Sequence, residues 1–282
     1  MTSSTAPGLT VIFGASSDVG RRLTVLLLDK GYAVRAVAKD FNDLDARADR
    51  VQGDFGSARE LTADAATVVS CAHARFLPGL LSNIPKSAQL ICLGSAWRYS
   101  RVPNERADQV REAEAVFLAS GIRGLMMHPT MIYGGSQERN LQSLLSILRV
   151  CPVLPLPGGG KNLVQPIHVD DVAACLLSAC TRVWERPQII NIAGPRSLTW
   201  RCMAETLARA ARLRFVPVSI PLSPSIFITA VLYAASFGRL VHPNVLRRFR
   251  ENVDFSIHGM TESLSVKPRE LDDGVRQMLA DQ

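Results

Sequence analysis

The first apolar run of the chain, Leu9 to Phe13, is short, uninterrupted and closed by Gly14, the pattern of a strand buried on both faces of a parallel sheet. A helical period follows at once. Val19, Leu23, Leu26 and Leu27 share a face, and Gly31 stands where a left-handed residue ends a helix. Tyr32 to Ala38 alternates and predicts a second strand. Thr67 to Cys71, Gln89 to Leu93 and Leu125 to Ile132 repeat the strand pattern, and a helix with Val110, Ala113 and Phe117 on one face ends at Gly121 before the last of them. Further on, Asp170-Asp171 predicts the cap of a helix through Cys180, Gln188 to Ile192 predicts a strand, and Thr199 to Leu213 a helix with Met203, Leu207 and Ala211 together. Cys151 to Pro166, rich in proline and glycine, reads as a long loop.

Strands alternating with helices predict an α/β fold with a doubly wound parallel sheet covered on both sides. Right-handed crossovers bring the C-terminal ends of all its strands to one edge, where ligands of such sheets bind. A chain of 282 residues accommodates one large domain with a smaller appendage. The expected division assigns 1–135 and 165–193 to the sheet domain and 136–164 with 194–282 to a smaller, mostly C-terminal substrate part.

Composition narrows the partners. A net charge of +7 favours anionic ligands such as nucleotides, but the basic residues are scattered and no aromatic-interleaved basic stripe is present, so nucleic acid is not expected. Six cysteines form no CxxC pair and no zinc spacing with the histidines, so no metal site is expected and a reduced compartment fits. Met1 to Gly8 lacks the order of a secretory signal, and a cytoplasmic location is the expectation. Val216 to Gly238 carries no charge over 23 residues, yet its prolines leave only Ile226 to Phe237 as a clean apolar run. That is shorter than the roughly 20 residues a spanning helix needs, so a buried or lid helix is favoured over membrane contact through 216–250, where Arg247, Arg248 and Arg250 would meet head groups.

The candidate chemistry begins at the first strand-to-helix turn, Gly14-Ala15-Ser16-Ser17-Asp18-Val19-Gly20. Gly14 permits a tight turn, Gly20 lets the helix approach the sheet, and the free amides of the first helical turn face an anion, as a pyrophosphate requires. The spacing Gly14-x-x-Ser17-x-x-Gly20 resembles the fingerprint of extended and atypical short-chain dehydrogenase/reductases, the NAD-dependent epimerase/dehydratase type that includes nucleoside-diphosphate-sugar epimerases. Their middle glycine is Ser17 here. Gly53-Asp54 resembles their adenine-contacting acidic turn, Gly94-Ser95 their catalytic-serine strand end, and Pro129-Thr130-Met131-Ile132-Tyr133-Gly134 their "RPxxxYG" segment. Gln165 to Ala173 resembles "hVdDvA", and Lys267-Pro268-Arg269 the closing "PR". The resemblance implies a Rossmann-type domain whose cofactor contacts are Gly14, Ser16, Ser17, Asp18, Val19, Gly20, Arg21, Lys39, Asp54, Phe55 and Pro129, with a small-molecule substrate. Lys39 and Asp40 both lie near the ribose-reading spacing. Lys39, with Arg21 as a second charge, favours NADP(H) over NAD(H); Asp40 on the ribose is the NAD alternative.

The chain departs from that family where catalysis is decided. Active members carry Tyr-x-x-x-Lys one helix upstream of "RPxxxYG"; counting back from Glu114 puts Arg106 at the tyrosine position and Val110 at the lysine. Arg106 stays protonated and Val110 is uncharged, so neither is a tunable acid. Ser95 to hold a substrate oxygen and Tyr99 to donate a proton are the remaining catalytic candidates, while His128 and His168 read as packed structural histidines and Tyr133 as a packed ring. Two functions follow as expectations: an NAD(P)-binding oxidoreductase or epimerase, or a binding protein that keeps the nucleotide fold without catalysis, as a sensor or assembly subunit.

Overall fold

A computed structural model describes residues 8–138, 140–224 and 247–281. The first half of the chain builds β1 (Thr10–Phe13), α1 (Asp18–Asp29), β2 (Val34–Ala38), β3 (Asp49–Gln52), α2 (Ala58–Leu61), β4 (Thr67–Ser70), α3 (Leu77–Leu81), β5 (Gln89–Leu93), α4 (Glu105–Ala119), β6 (Gly124–Pro129) and β7 (Ile132–Tyr133). The second builds α5 (Asn140–Val150), β8 (Val153–Pro157), β9 (Leu163–Val164), β10 (Ile167–His168), α6 (Val169–Cys180), β11 (Pro187–Ile192), β12 (Leu198–Thr199), α7 (Trp200–Ala210), β13 (Val216–Ile220), α8 (His258–Leu264) and α9 (Leu271–Ala280).

Seven strands form one parallel sheet in the order β11-β6-β5-β4-β1-β2-β3. The chain enters in the middle, winds out to β3, then crosses to β4 on the far side of β1. A topological switch point therefore lies between β1 and β4, the place where doubly wound sheets open a ligand crevice. Alternation along each strand divides the core: Ile12 packs with α1 and α6 through Leu23, Leu27, Val172 and Leu176, while Val11 and Phe13 face Leu77, Leu80, Val110 and Phe117 of α3 and α4. Because both faces are covered, these strands read as unbroken apolar runs. The doubly wound α/β expectation is met.

A third core gathers Leu141, Leu144, Leu145 and Leu148 of α5, Leu154 and Leu156 of β8, Met203 and Leu207 of α7, and Val275 and Met278 of α9 around Tyr133. This C-terminal assembly is tied to the sheet domain by charge. Arg269 donates to Asp171 from its backbone N (3.0 Å), Nε (3.0 Å) and guanidinium (2.9 Å), and it also reaches Asp170 at 3.2 Å. Arg22 of α1 grips the same Asp170 at 2.5 Å.

Several sequence expectations need correction. Cys151 to Pro166 is not a loop: β8, a 3-10 turn at Gly158–Gly160 and β9 occupy it, with β8 paired to β13 and β9 to β12. Proline in β8 is tolerated because a two-stranded ribbon leaves an outer edge on each strand that needs no donor. Leu125 to Ile132 is two strands, β6 ending at Pro129 and β7 pairing separately with β10. α6 is capped not by Asp170-Asp171 but by His168, whose Nδ1 accepts from the Asp170 amide at 3.2 Å. β3, α2, α3 and α5 have no counterpart in the pattern reading. The apolar run Ile226 to Phe237 lies outside the described residues. No helix among the described residues is long and apolar enough to cross a membrane.

Candidate active site

At the C-terminal end of β1, Gly14 takes φ +75° and the chain turns directly into α1. A Cβ on Gly20 would overlap the Gly14 carbonyl oxygen, so only glycine lets this helix start so close to the strand. Ser17, in place of the family's middle glycine, is the N-cap: its hydroxyl donates to the Gly14 carbonyl (2.8 Å) and accepts from the Gly20 amide (3.1 Å). The Asp18 and Val19 amides are then the first-turn donors without a partner of this kind among the described residues. The cradle thus fits a dinucleotide's diphosphate.

The Asp18 side chain is engaged apart from its amide. Its carboxylate accepts from Ser136 N (3.0 Å), Ser136 Oγ (2.9 Å) and Gln137 N (2.8 Å), and Arg21 donates to it at 2.8 Å. Burial alone would raise this carboxyl, but those donors outweigh it and hold it below its ordinary value. Arg21 is engaged further, to Asp43 (3.2 Å) and Ser136 (2.8 Å), so its charge is already balanced locally. Lys39, just past β2, is exposed and makes no ion pair among the described residues, whereas Asp40 accepts from the Asn42 amide at 2.7 Å. Asp54 caps its own turn through the Gly56 amide (2.8 Å), and Phe55 stacks between Phe13 and Phe76 with ring centroids 5.0 and 4.9 Å away. Pro129 closes β6 as a buried residue.

The catalytic candidates meet at the ends of β5 and β6. Ser95 follows β5; its Oγ accepts from the Trp97 amide at 3.3 Å, and its own amide donates to His128 Nδ1 at 3.0 Å. That bond fixes the proton of His128 on Nε2, which points to Glu114 Oε2 at 2.9 Å. Glu114, buried on α4, also accepts from Nε and Nη2 of Arg98. Burial pushes Glu114 up, but Arg98 and His128 prevail and its carboxyl stays below the usual range. Burial keeps His128 below its ordinary value despite that carboxylate, so the ring is neutral and structural near pH 7. Tyr99, 40% exposed, donates its phenol to Asn191 Oδ1 at 3.0 Å and sets its ring edge-on to His128. On α4, Val110 is buried and Arg106 exposed.

A further segment at the site was legible in the sequence only as a basic cluster, with nothing to place it here. Residues 248–255 cross in front of Ser95 to Val102: Arg248 lies over the Trp97 ring at 3.3 Å, Glu251 accepts from Ser100 Oγ (2.8 Å) and the Arg101 and Val102 amides, and Phe255 packs on Tyr99 at 4.9 Å. Asn191 was missed for the same reason, being legible only once β11 is paired beside β6.

A glycine-opened turn beside the switch point of a seven-stranded parallel sheet, with a serine at the end of β5, belongs to a Rossmann-type α/β fold, an architecture shared with solved NAD-dependent nucleotide-sugar epimerases and dehydratases. Among solved structures it is similar to that of gox2253 (TM-score 0.75, 16% identity, 97% of each chain). It is likewise similar to UDP-glucose 4-epimerase from Thermotoga maritima with UDP-glucose (TM-score 0.73, 15% identity, 96% of this chain and 97% of that one). UDP-glucuronic acid 4-epimerase from Bacillus cereus, in complex with UDP-glucuronic acid and NAD, matches with TM-score 0.73 and 14% identity over 96% of this chain and 98% of that one. At these identities the likeness is one of fold. No family model matches the chain. In sequence it is 25% identical over 239 residues, 84% of its length, to an uncharacterized protein of Mycobacterium tuberculosis, of which the match spans 27%. It is 24% identical over 236 residues to the chloroplast stem-loop binding protein of 41 kDa b of Arabidopsis thaliana, 71% of this chain and 62% of that one.

Proposed function

We propose that this chain is an NAD(P)-binding oxidoreductase or epimerase of the atypical short-chain type, acting on a small molecule bound between the sheet edge and a substrate part formed by 136–164 and 194–282. The carrying observation is the turn from Gly14 to Gly20, where glycine is required for the approach of α1 and two first-turn amides stand uncommitted. When bound, a nicotinamide supplies or accepts a hydride. Ser95 holds the substrate oxygen through its hydroxyl proton, which its contact with the Trp97 amide leaves free to donate. Tyr99, oriented by Asn191, gives or takes the proton at that oxygen. His128, Glu114 and Arg98 keep the end of β5 in place without exchanging protons with substrate.

NADPH is the preferred form, because Lys39, at the end of β2, has no carboxylate partner among the described residues while Arg21 is held by Asp18 and Asp43. Fluorescence titration tests this: NADPH binds about tenfold tighter than NADH, as one charge-assisted contact implies, and Lys39→Ala removes the difference. Equal, negligible affinity for both overturns the cofactor reading. For catalysis, Ser95→Ala abolishes turnover of carbonyl substrates with NADPH affinity intact; unchanged turnover removes Ser95 from the mechanism.

Val110, buried at the place of the family's lysine, favours a second reading, a nucleotide-binding sensor or assembly protein without turnover. Bound NADPH that no carbonyl compound in a broad panel oxidises identifies that case.

A further inference from the structure

Away from the cofactor cleft, the ribbon of β8 and β13 has one face inside and one in solvent. Leu154 and Leu156 point into the third core. Parallel pairing sets Val216 against Val153 and Val218 against Pro155, and all four are exposed, Val216 at 60%. A half-buried ribbon ordinarily alternates apolar inside with polar outside; here the outer face is apolar as well. Val150, 84% exposed at the end of α5, extends the same surface through Cys151 and Pro152.

The chain segments that build this face carry charges of one sign. Arg149 precedes Val150, and Arg212 and Arg214 lead into Val216; all three are exposed and make no ion pair among the described residues. No Asp or Glu occurs from Asn140 to Val169 or from Thr206 to Arg250. Exposed aliphatic residues bordered by unpaired arginines match an anionic bilayer surface, whose head groups take the guanidinium groups while the valines enter the acyl boundary. A second copy of the chain fits poorly, since a two-fold contact sets this patch against itself and opposes arginine to arginine. RNA fits poorly too, because among the described residues the face presents no exposed aromatic ring for a base to stack on. The arginines noted in the sequence as head-group partners are not those used: Arg248 lies on Trp97 and Arg250 donates to Ser223 at 3.2 Å.

We propose that the outer face of β8 and β13, Val150, Val153, Pro155, Val216 and Val218 with Arg149, Arg212 and Arg214, docks this protein onto anionic membranes. Docking is peripheral and independent of the cofactor reading. Flotation of the full chain with phosphatidylcholine vesicles, with and without phosphatidylglycerol, tests it at low salt. The wild type rises with the phosphatidylglycerol vesicles, stays below with phosphatidylcholine alone, and is released by salt. At about fivefold per surface arginine, Arg212→Gln with Arg214→Gln lowers the partition coefficient roughly twenty-five-fold; Val216→Ser with Val218→Ser lowers it as well, and circular dichroism melting verifies that both variants fold. Wild-type protein remaining below the anionic vesicles overturns the proposal, as does flotation unaltered in the arginine variant. A gel shift with single-stranded RNA, or a dimer in sedimentation, that these substitutions abolish while no flotation occurs, overturns it in favour of that partner.

Discussion

Ser17 illustrates how one side chain substitutes for a glycine. Its hydroxyl spans the turn from the Gly14 carbonyl to the Gly20 amide, satisfying an N–H that the helix itself cannot. Ser17→Ala loses that cap and lowers stability by about 1 kcal/mol, whereas Ser17→Gly costs only a few tenths, as thermal denaturation will read. The spacing of the turn is visible in the sequence, but the inward direction of the hydroxyl is not. Asp18 is a similar case: while its amide faces the turn, its carboxylate fastens the start of α1 to residues 136 and 137, a contact between parts of the chain that no local pattern links.

Between elements, the connection from α4 to β6 is a hydrogen bond from a neutral His128 ring to Glu114, whose ion pair is with Arg98. Glu114 and His128 both have folded values below their ordinary ones, the first because Arg98 and His128 outweigh its burial, the second because burial outweighs Glu114. Below about pH 6.5 the unfolded chain takes up a proton that buried His128 refuses, so stability falls with acidification; it falls again as pH passes down through the depressed range of Glu114. His168, also lowered by burial, adds to the first step. Melting temperature therefore declines from pH 7 to pH 5, and His128→Gln makes that decline shallower without removing it. A melting temperature that rises over this interval contradicts the assignment. In the sequence His128 reads as a packed strand-end histidine, which it is; its partner on α4 becomes evident only when the helix lies across the sheet.

At the scale of the whole molecule, the closing Pro268-Arg269 segment determines how the C-terminal assembly meets the sheet domain. Asp171 is buried and receives three donors from Arg269, while Asp170 joins Arg269, Arg22 and Gln277. Arg269→Ala leaves the Asp171 carboxylate short of its cation. Since Arg269 is partly exposed, the loss is about 2–3 kcal/mol, below the full penalty of a wholly buried pair. Limited proteolysis checks the location: cleavage near α9 accelerates in the variant, and unchanged cleavage with unchanged melting counts against the clamp.

The alternation of strands and helices and the glycine turn are properties of neighbouring residues, so the sequence alone determined them. Local pattern suffices there because strand burial, helix period and turn geometry depend on a few adjacent side chains. The pairing of proline-bearing β8 with β13, the seating of Arg248 on Trp97, the contact of Tyr99 with Asn191 and the hold of Glu114 on His128 were decided by tertiary structure. Each joins elements that approach only after the sheet has formed, and each is stabilised by burial or by partners that a linear pattern does not contain.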